Sequence, residues 1–173
     1  MNHRTRPWHD NLPGRVGRRD RTKMATTVPT NGGPTPSILL VEDNPADARL
    51  AIEAFRENRL DNPVHVVNNG EEAVDYLNDC KKQRTVLPSL ILLDLNLPRK
   101  DGREVLAEIK ADEILKSIPV VVLTTSQSED DIRTVYSLNG NCYVTKNPDI
   151  EQFIETVRLL GEFWLKTVRL PPG

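Results

Sequence analysis

Five short apolar runs, spaced along the chain and each closed by a polar residue, constrain the fold more than any other feature. They are Ser37-Ile-Leu-Leu-Val41, Val64-His-Val-Val67, Leu90-Ile-Leu-Leu93, Pro119-Val-Val-Val-Leu123 and Asn141-Cys-Tyr-Val-Thr145. Runs this short suit strands, and strands apolar on both faces need cover on both sides. The intervening segments carry helical periodicity. Ala48, Ala51, Ile52 and Phe55 repeat at i, i+3, i+4 and i+7, with Arg49, Glu53 and Arg56 opposite. Asn44-Pro45 supplies an N-cap and a proline at the first helical position. Asn69 caps a second helix carrying Ala73, Val74 and Leu77. Asp101 and Glu104 form a capping box for a third, with Val105, Leu106 and Ile109. Ser128 caps a fourth, with Ile132 and Val135, and Asp149 with Gln152 starts a fifth in capping-box manner. Strict strand–helix alternation predicts an α/β fold over about residues 37–168: a five-stranded parallel sheet, doubly wound. Right-handed crossovers place every strand's carboxyl end on one edge.

The chain has 173 residues and a formal charge of -2, which argues against whole-chain nucleic-acid binding. That average conceals a split. Residues 1–36 carry +5 and the remainder -7, and the first segment holds five Pro and four Gly without apolar period. Such a stretch buries too little apolar surface to offset its ordering entropy and is expected to be a disordered basic extension. It reads as a spacer or as the product of a misassigned start, with Met24 as the alternative, ahead of a nucleic-acid or membrane arm. Residues 37–173 form the folded domain. No apolar run approaches the roughly 20 residues of a membrane span. Cys80 and Cys142 make no disulfide framework and no zinc spacing. The expectation is a cytoplasmic protein bound to neither DNA nor membrane.

In open α/β sheets, sites form beyond the carboxyl ends of the strands. Here those ends carry Glu42-Asp43, Asp94, Thr124 and Lys146. Each alone has a plainer reading, since a carboxylate at a strand end also caps turns and helices. Together they point to chemistry. Three crowded carboxylates repel, and a hard divalent cation such as Mg²⁺ relieves the repulsion. A carboxylate beside that ion can attack phosphorus and form an aspartyl phosphate. A hydroxyl and an ammonium then bind the remaining phosphoryl oxygens.

The segments Leu39-Leu-Val-Glu-Asp-Asn44, Leu92-Leu-Asp-Leu-Asn-Leu-Pro98 with Asp101-Gly102, Val122-Leu-Thr-Thr125 and Tyr143-Val-Thr-Lys146 resemble the receiver domains of two-component response regulators. The run from Leu93 to Gly102 and the Phe163-Trp164-Leu165 tail are similar to the stand-alone regulators of cyanobacterial and bacterial phytochrome kinases. The resemblance implies Asp94 as phosphoacceptor. It implies Mg²⁺ held by Glu42, Asp43, Asp94 and the backbone carbonyl of Asn96. Lys146 then contacts the phosphoryl group, and Thr124 with Tyr143 forms a switch pair. Thr125 occupies a position where the family usually has a smaller residue and narrows access. The implied donor is a sensor histidine kinase of phytochrome type. The implied protein is a phosphoacceptor rather than an enzyme, signalling by protein contact or phosphorelay.

One departure stands out. The family usually has proline directly after the lysine, often in a cis bond, and here Asn147 precedes Pro148. Either Lys146-Asn147 is cis at a cost of about 2.5–4 kcal/mol, or it is trans and Lys146 is aimed differently. Two other functions compete. A haloacid-dehalogenase-like phosphohydrolase also uses an Asp after a strand but needs a second acid where Asn96 stands. A degenerate receiver used only for binding would not need Asp94 and Lys146.

The last helix is expected from Ile150 to about Val168, with Ile150, Ile154, Val157, Gly161, Trp164 and Val168 on one stripe that faces the sheet in its first turns, while the later turns with Trp164 and Leu165 overhang the sheet's end. Leu159 and Phe163 fall about 180° and 220° away, toward solvent. This exposed pair predicts a homodimer through the C-terminal helix.

Overall fold

The structure, a computed structural model, describes residues 35–171. The expectations for the basic segment 1–36 fall outside the described residues, save for its last two. Strands β1 (Ile38–Val41), β2 (Val64–Val67), β3 (Leu90–Leu93), β4 (Val120–Thr124) and β5 (Cys142–Thr145) alternate with helices α1 (Pro45–Glu57), α2 (Gly70–Gln83), α3 (Gly102–Ala111), α4 (Glu129–Ser137) and α5 (Ile150–Gly161). All strand pairs are parallel, in the order β2-β1-β3-β4-β5. The order reverses between β1 and β3, and that switch point is where a crevice opens.

Side chains alternate across a strand, so each apolar run feeds both faces. Ile38, Leu40, Leu90, Leu92, Val121 and Leu123 pack under α1 and α5. Leu39, Val41, Ile91, Leu93, Val120 and Val122 pack under α2, α3 and α4. The strand residues of β1 and β3 are almost wholly buried, as a sheet covered on both sides requires.

The helix starts follow the expected caps. The side chains of Asn44, Asn69, Asp101, Ser128 and Asp149 each accept a bond from a first-turn amide. The box at Asp101 and Glu104 is complete, whereas the one at Asp149 is half formed. There the Asp149 amide donates to Asn147 Oδ1, and Gln152 Oε1 accepts from Asn147 instead.

The expected stripe on α5 holds at Ile154, Val157, Gly161 and Trp164 and fails at its first residue. Phe153, Val157, Leu160 and Gly161 face the core, and Ile150 is 58% exposed. Ile150 is the first helical residue, before the helix has reached the sheet, and Phe153 fills the place one turn on. A Cβ on Gly161 would lie 2.4 Å from Leu60 Cδ1 and 3.1 Å from Phe55, so α5 meets α1 closely at this point. Beyond it the helix widens into π turns over Glu162–Thr167. These turns hold Trp164 and Leu165 half-buried on the α1 side. Leu159 and Phe163 are exposed as expected, at 53% and 51%.

One ion pair ties the α2 side together. Lys81 bonds Asp112, whose other oxygen accepts from the amides of Ile114 and Leu115. The Lys81 ammonium and those amides hold the Asp112 carboxyl down to about 2. A depressed carboxyl contributes stability above its unfolded value of about 3.9 and loses it as pH falls through the folded value. Asp112→Asn keeps the cap and removes the charge. It is expected to cost at most about 1 kcal/mol at neutral pH. In acid urea titrations the gap to wild type should close between about pH 4 and pH 2.

Candidate functional site

The carboxyl edge of the sheet gathers the polar strand ends. Glu42 follows β1 directly and is buried, while Asp43 turns outward and is exposed. Asp94 follows β3 and is also buried. One carboxylate oxygen from each of these three lies within 4.8 Å of the others. The strand ends enforce that crowding. Asp94 donates its amide to the Val41 carbonyl at 3.0 Å, which locks the end of β3 against β1. Gly102 starts α3 directly against this point, and a Cβ there would lie 2.2 Å from the Asp94 carbonyl oxygen. Only glycine permits that approach, so the helix start and the carboxylate share one rigid corner.

Lys146 closes the cluster from β5. Its Nζ lies 2.7 Å from Asp94 Oδ2, 2.5 Å from Glu42 Oε2 and 3.0 Å from Asp47 Oδ2. The Lys146 side chain is 5% exposed, and its ammonium is met by three acids. Burial opposes its charge, but the hydrogen bonds and charges of Asp94 and Glu42 outweigh burial and raise its pKa above the ordinary lysine value. Burial pushes the Glu42 carboxyl up, against the pull of the same ammonium. The described residues contain no cis peptide bond, so Lys146-Asn147 is trans. Lys146 reaches Asp94 regardless, and the expectation that a trans bond would aim it elsewhere is corrected. Asn147 gives the loop its shape by bonding Asp149 and Gln152.

The remaining expected residues sit close by. The Asn96 amide donates to Asp94 Oδ1 at 3.1 Å, and its side-chain amide reaches Thr124 Oγ1 and Thr125 Oγ1, each at 3.5 Å. Thr124 is fully buried at the end of β4. Thr125 is exposed and lines a cleft of about 460 Å³ with Asn44, Asp47, Leu50 and Lys146. Tyr143 does not touch the carboxylates. Its hydroxyl donates to the Ser126 carbonyl at 3.0 Å, and the Ser126 amide in turn reaches Thr124 Oγ1 at 3.4 Å. The link between Thr124 and Tyr143 is therefore one shared residue, which the sequence did not single out.

Asp47 is the second unforeseen participant. It stands in the first turn of α1, four positions after Asp43, where an acid also suits the helix dipole. That plainer role hides its reach to Lys146.

The oxygens present fit a hard divalent cation. Glu42, Asp43 and Asp94 offer carboxylates only, and Asp43 leaves one side of the cluster open to solvent. Lys146 leaves the group of four acids and one base with a net excess of three negative charges.

Comparison with known proteins agrees with this chemistry. The response regulator receiver domain model matches residues 38–158. The chain is 48% identical over 139 residues to the response regulator Rcp1 of Synechocystis sp., covering 80% of this chain and 95% of that protein. The crystal structure of the phosphorylated cyanobacterial phytochrome response regulator RcpA is similar at 51% identity and a TM-score of 0.75, covering 80% of this chain and 99% of that one. The Mn²⁺-bound form of Rcp1 is similar at 47% identity and a TM-score of 0.74, covering 79% and 99%.

Proposed function

This chain belongs to the response regulator receiver family, and from that premise we propose that Asp94 accepts a phosphoryl group from a sensor histidine kinase of phytochrome type. Family members of this kind are phosphoacceptor signalling proteins rather than enzymes in the usual sense. The observation that carries the assignment to Asp94 is its place: buried, 2.7 Å from Lys146 and within 4.8 Å of the Glu42 and Asp43 oxygens.

In this reading an Asp94 carboxylate oxygen forms the new O–P bond while the P–N bond to the donor imidazole breaks, and the imidazole keeps the bonding pair. Lys146 stabilises charge on the transferred oxygens, and the Thr124 hydroxyl donates to one of them. Mg²⁺, held by Glu42, Asp43, Asp94 and the Asn96 carbonyl, supplies further charge neutralisation when bound. The cleft beside Asp47 and Lys146 gives the donor its approach. The protein works in the cytoplasm through protein contact or phosphorelay. Among the described residues no helix is long and apolar enough to cross a membrane.

Incubation with acetyl phosphate and Mg²⁺ tests the reading. Stoichiometric, acid-stable and base-labile labelling supports it. Steady release of phosphate without an adduct would indicate a hydrolase, and no reaction a binding-only receiver.

Mg²⁺ is also expected to stabilise the fold, because only the folded chain assembles the three acids. At 100 times its dissociation constant the ion adds about 2.7 kcal/mol. Equal melting temperatures in EDTA and in saturating Mg²⁺ would remove the metal site.

The exposed pair Leu159 on α5 and Phe163 in the π turns after it supports a homodimer about a two-fold axis. Phe163 and Trp164 meet edge to face at 5.3 Å, giving the patch an aromatic centre. Light scattering should give wild type twice the chain mass and Leu159→Glu/Phe163→Glu the single mass. A monomeric wild type, with or without acetyl phosphate, would end the dimer proposal.

A further inference from the structure

Ser126 joins both halves of the proposed switch, so what holds Ser126 matters. Its hydroxyl donates to Asp131 Oδ2 at 2.5 Å and accepts from the Ser128 amide at 3.3 Å. Asp131, in the first turn of α4, is gripped from α3 by a two-pronged guanidinium. Arg103 Nε lies 2.9 Å from Oδ1, and Nη2 lies 2.6 Å from Oδ2. The third nitrogen, Nη1, bonds Asp101, the cap of α3, at 2.8 Å. This is not a loose surface pair. The two side chains are 27% and 19% exposed, and paired two-pronged geometry is the strong form of such a contact. Hydrogen bonds from Arg103 and Ser126 hold the Asp131 carboxyl below its ordinary range.

The pair spans two loops that flank the proposed phosphoacceptor. Asp101 and Gly102 close the loop after β3, where the Gly102 amide donates to the Leu95 carbonyl at 2.9 Å. Ser126 lies in the loop after β4, between Thr124 and α4. From this geometry we infer that Arg103, acting through Asp131, is a positioning residue for the switch. It fixes Ser126, and Ser126 sets the orientation of Tyr143 through its carbonyl and engages Thr124 through its amide. The inference rests on the phosphoacceptor reading for its function.

Physically, two arrangements of Ser126 compete. With Asp131 gripped, the Ser126 carbonyl accepts from Tyr143 and keeps its ring packed, half-buried, against the core under α2, α3 and α4. With the grip broken, Ser126 keeps only the longer 3.3 Å bond from the Ser128 amide on the α4 side, and the acceptor of the tyrosine is no longer fixed in place. A switch pair that moves on phosphorylation is therefore biased before any phosphoryl group arrives.

The test uses the full chain with 3-fluorotyrosine at its three tyrosines, the Tyr143 resonance being assigned with Tyr143→Phe. Acetyl phosphate labelling is measured on the same samples. In Asp131→Asn and Arg103→Gln, the ratio of bonded to released Tyr143 should fall about tenfold, equivalent to ~1.4 kcal/mol. The resonance should move toward that of exposed Tyr136, and labelling should persist at a changed rate. Arg103→Lys keeps the charge without the two-pronged grip, and should shift the ratio the same way if Arg103→Gln does not fold. Arg133→Ala breaks an exposed pair with Glu129 on the same helix and should change neither readout. If folded variants keep the wild-type Tyr143 resonance and labelling rate while wild type labels normally, the latch is overturned. It is also overturned if Arg133→Ala moves Tyr143 as far as Asp131→Asn does. A wild type that takes no label overturns the phosphoacceptor reading instead.

Discussion

Lys146→Met should lower unfolding stability in EDTA by about 3–5 kcal/mol, the cost of breaking a buried ion pair by removing one partner. The ammonium answers three carboxylates at once, and its side chain is 5% exposed beside Glu42 at 4% and Asp94 at 7%. Methionine preserves the length and the apolar stem but leaves those acids facing one another. With the ammonium gone, burial and the Asp94 charge push the Glu42 carboxyl further up against only the Asn44 amide, so it takes up a proton more readily. That uptake limits the loss and makes the variant less unstable as pH falls, with the gap to wild type narrowing in the acid range. Saturating Mg²⁺ should restore part of the difference, because a second cation can take over the same charges. Adding Asp94→Asn to Lys146→Met should cost less than the two effects summed, since one acid fewer is left unpaired. Urea titrations of the four proteins, with and without Mg²⁺, read these terms directly. A Lys146→Met protein as stable as wild type in EDTA would mean that the ion pairs carry no net weight.

Asp94→Asn should abolish phosphoryl uptake completely while the chain stays folded. An amide oxygen does not attack phosphorus at a useful rate, and no other described carboxylate shares the contact with both Lys146 and the Asn96 amide. Its effect on stability has two opposed parts. The variant loses a charged partner for Lys146, but it relieves repulsion with Glu42 and Asp43. Lys146 keeps Glu42 and Asp47 as charged partners and an amide oxygen still accepts from it, so the relief of repulsion outweighs the loss, by on the order of 1 kcal/mol. The Asp94→Asn protein should therefore be slightly more stable than wild type without metal and gain less from Mg²⁺. Calorimetry in EDTA and in Mg²⁺ checks both signs.

Much of this was legible from residue order. The apolar runs identify buried parallel strands because both faces of such strands must be apolar, and the cap residues mark the helix starts. Because parallel strands share a carboxyl edge, the order of residues alone brings Glu42, Asp43, Asp94, Thr124 and Lys146 together. What stayed hidden depends on side-chain reach across the fold. Asp47 looks like an ordinary first-turn acid, and only the position of Lys146 shows otherwise. Arg103 and Asp131 lie 28 positions apart on different helices, and no local pattern links them. Ser126 acts mainly through its backbone, which carries no side-chain signature. The start of the α5 stripe was not legible, because an ideal helix would meet the sheet from its first residue. In the fold, Ile150 lies outside the contact, Gly161 lets the helix approach α1, and π turns follow.

The measurement closest to the central claim is the identity of the phosphorylated residue. Wild type labelled with acetyl phosphate and Mg²⁺ is reduced with borohydride, which converts an aspartyl phosphate to homoserine, and its peptides are sequenced by mass spectrometry. The account predicts homoserine at position 94 in wild type, and none in unlabelled protein or in Asp94→Asn. Homoserine at position 43 or 47, or labelling that survives in Asp94→Asn, would contradict it.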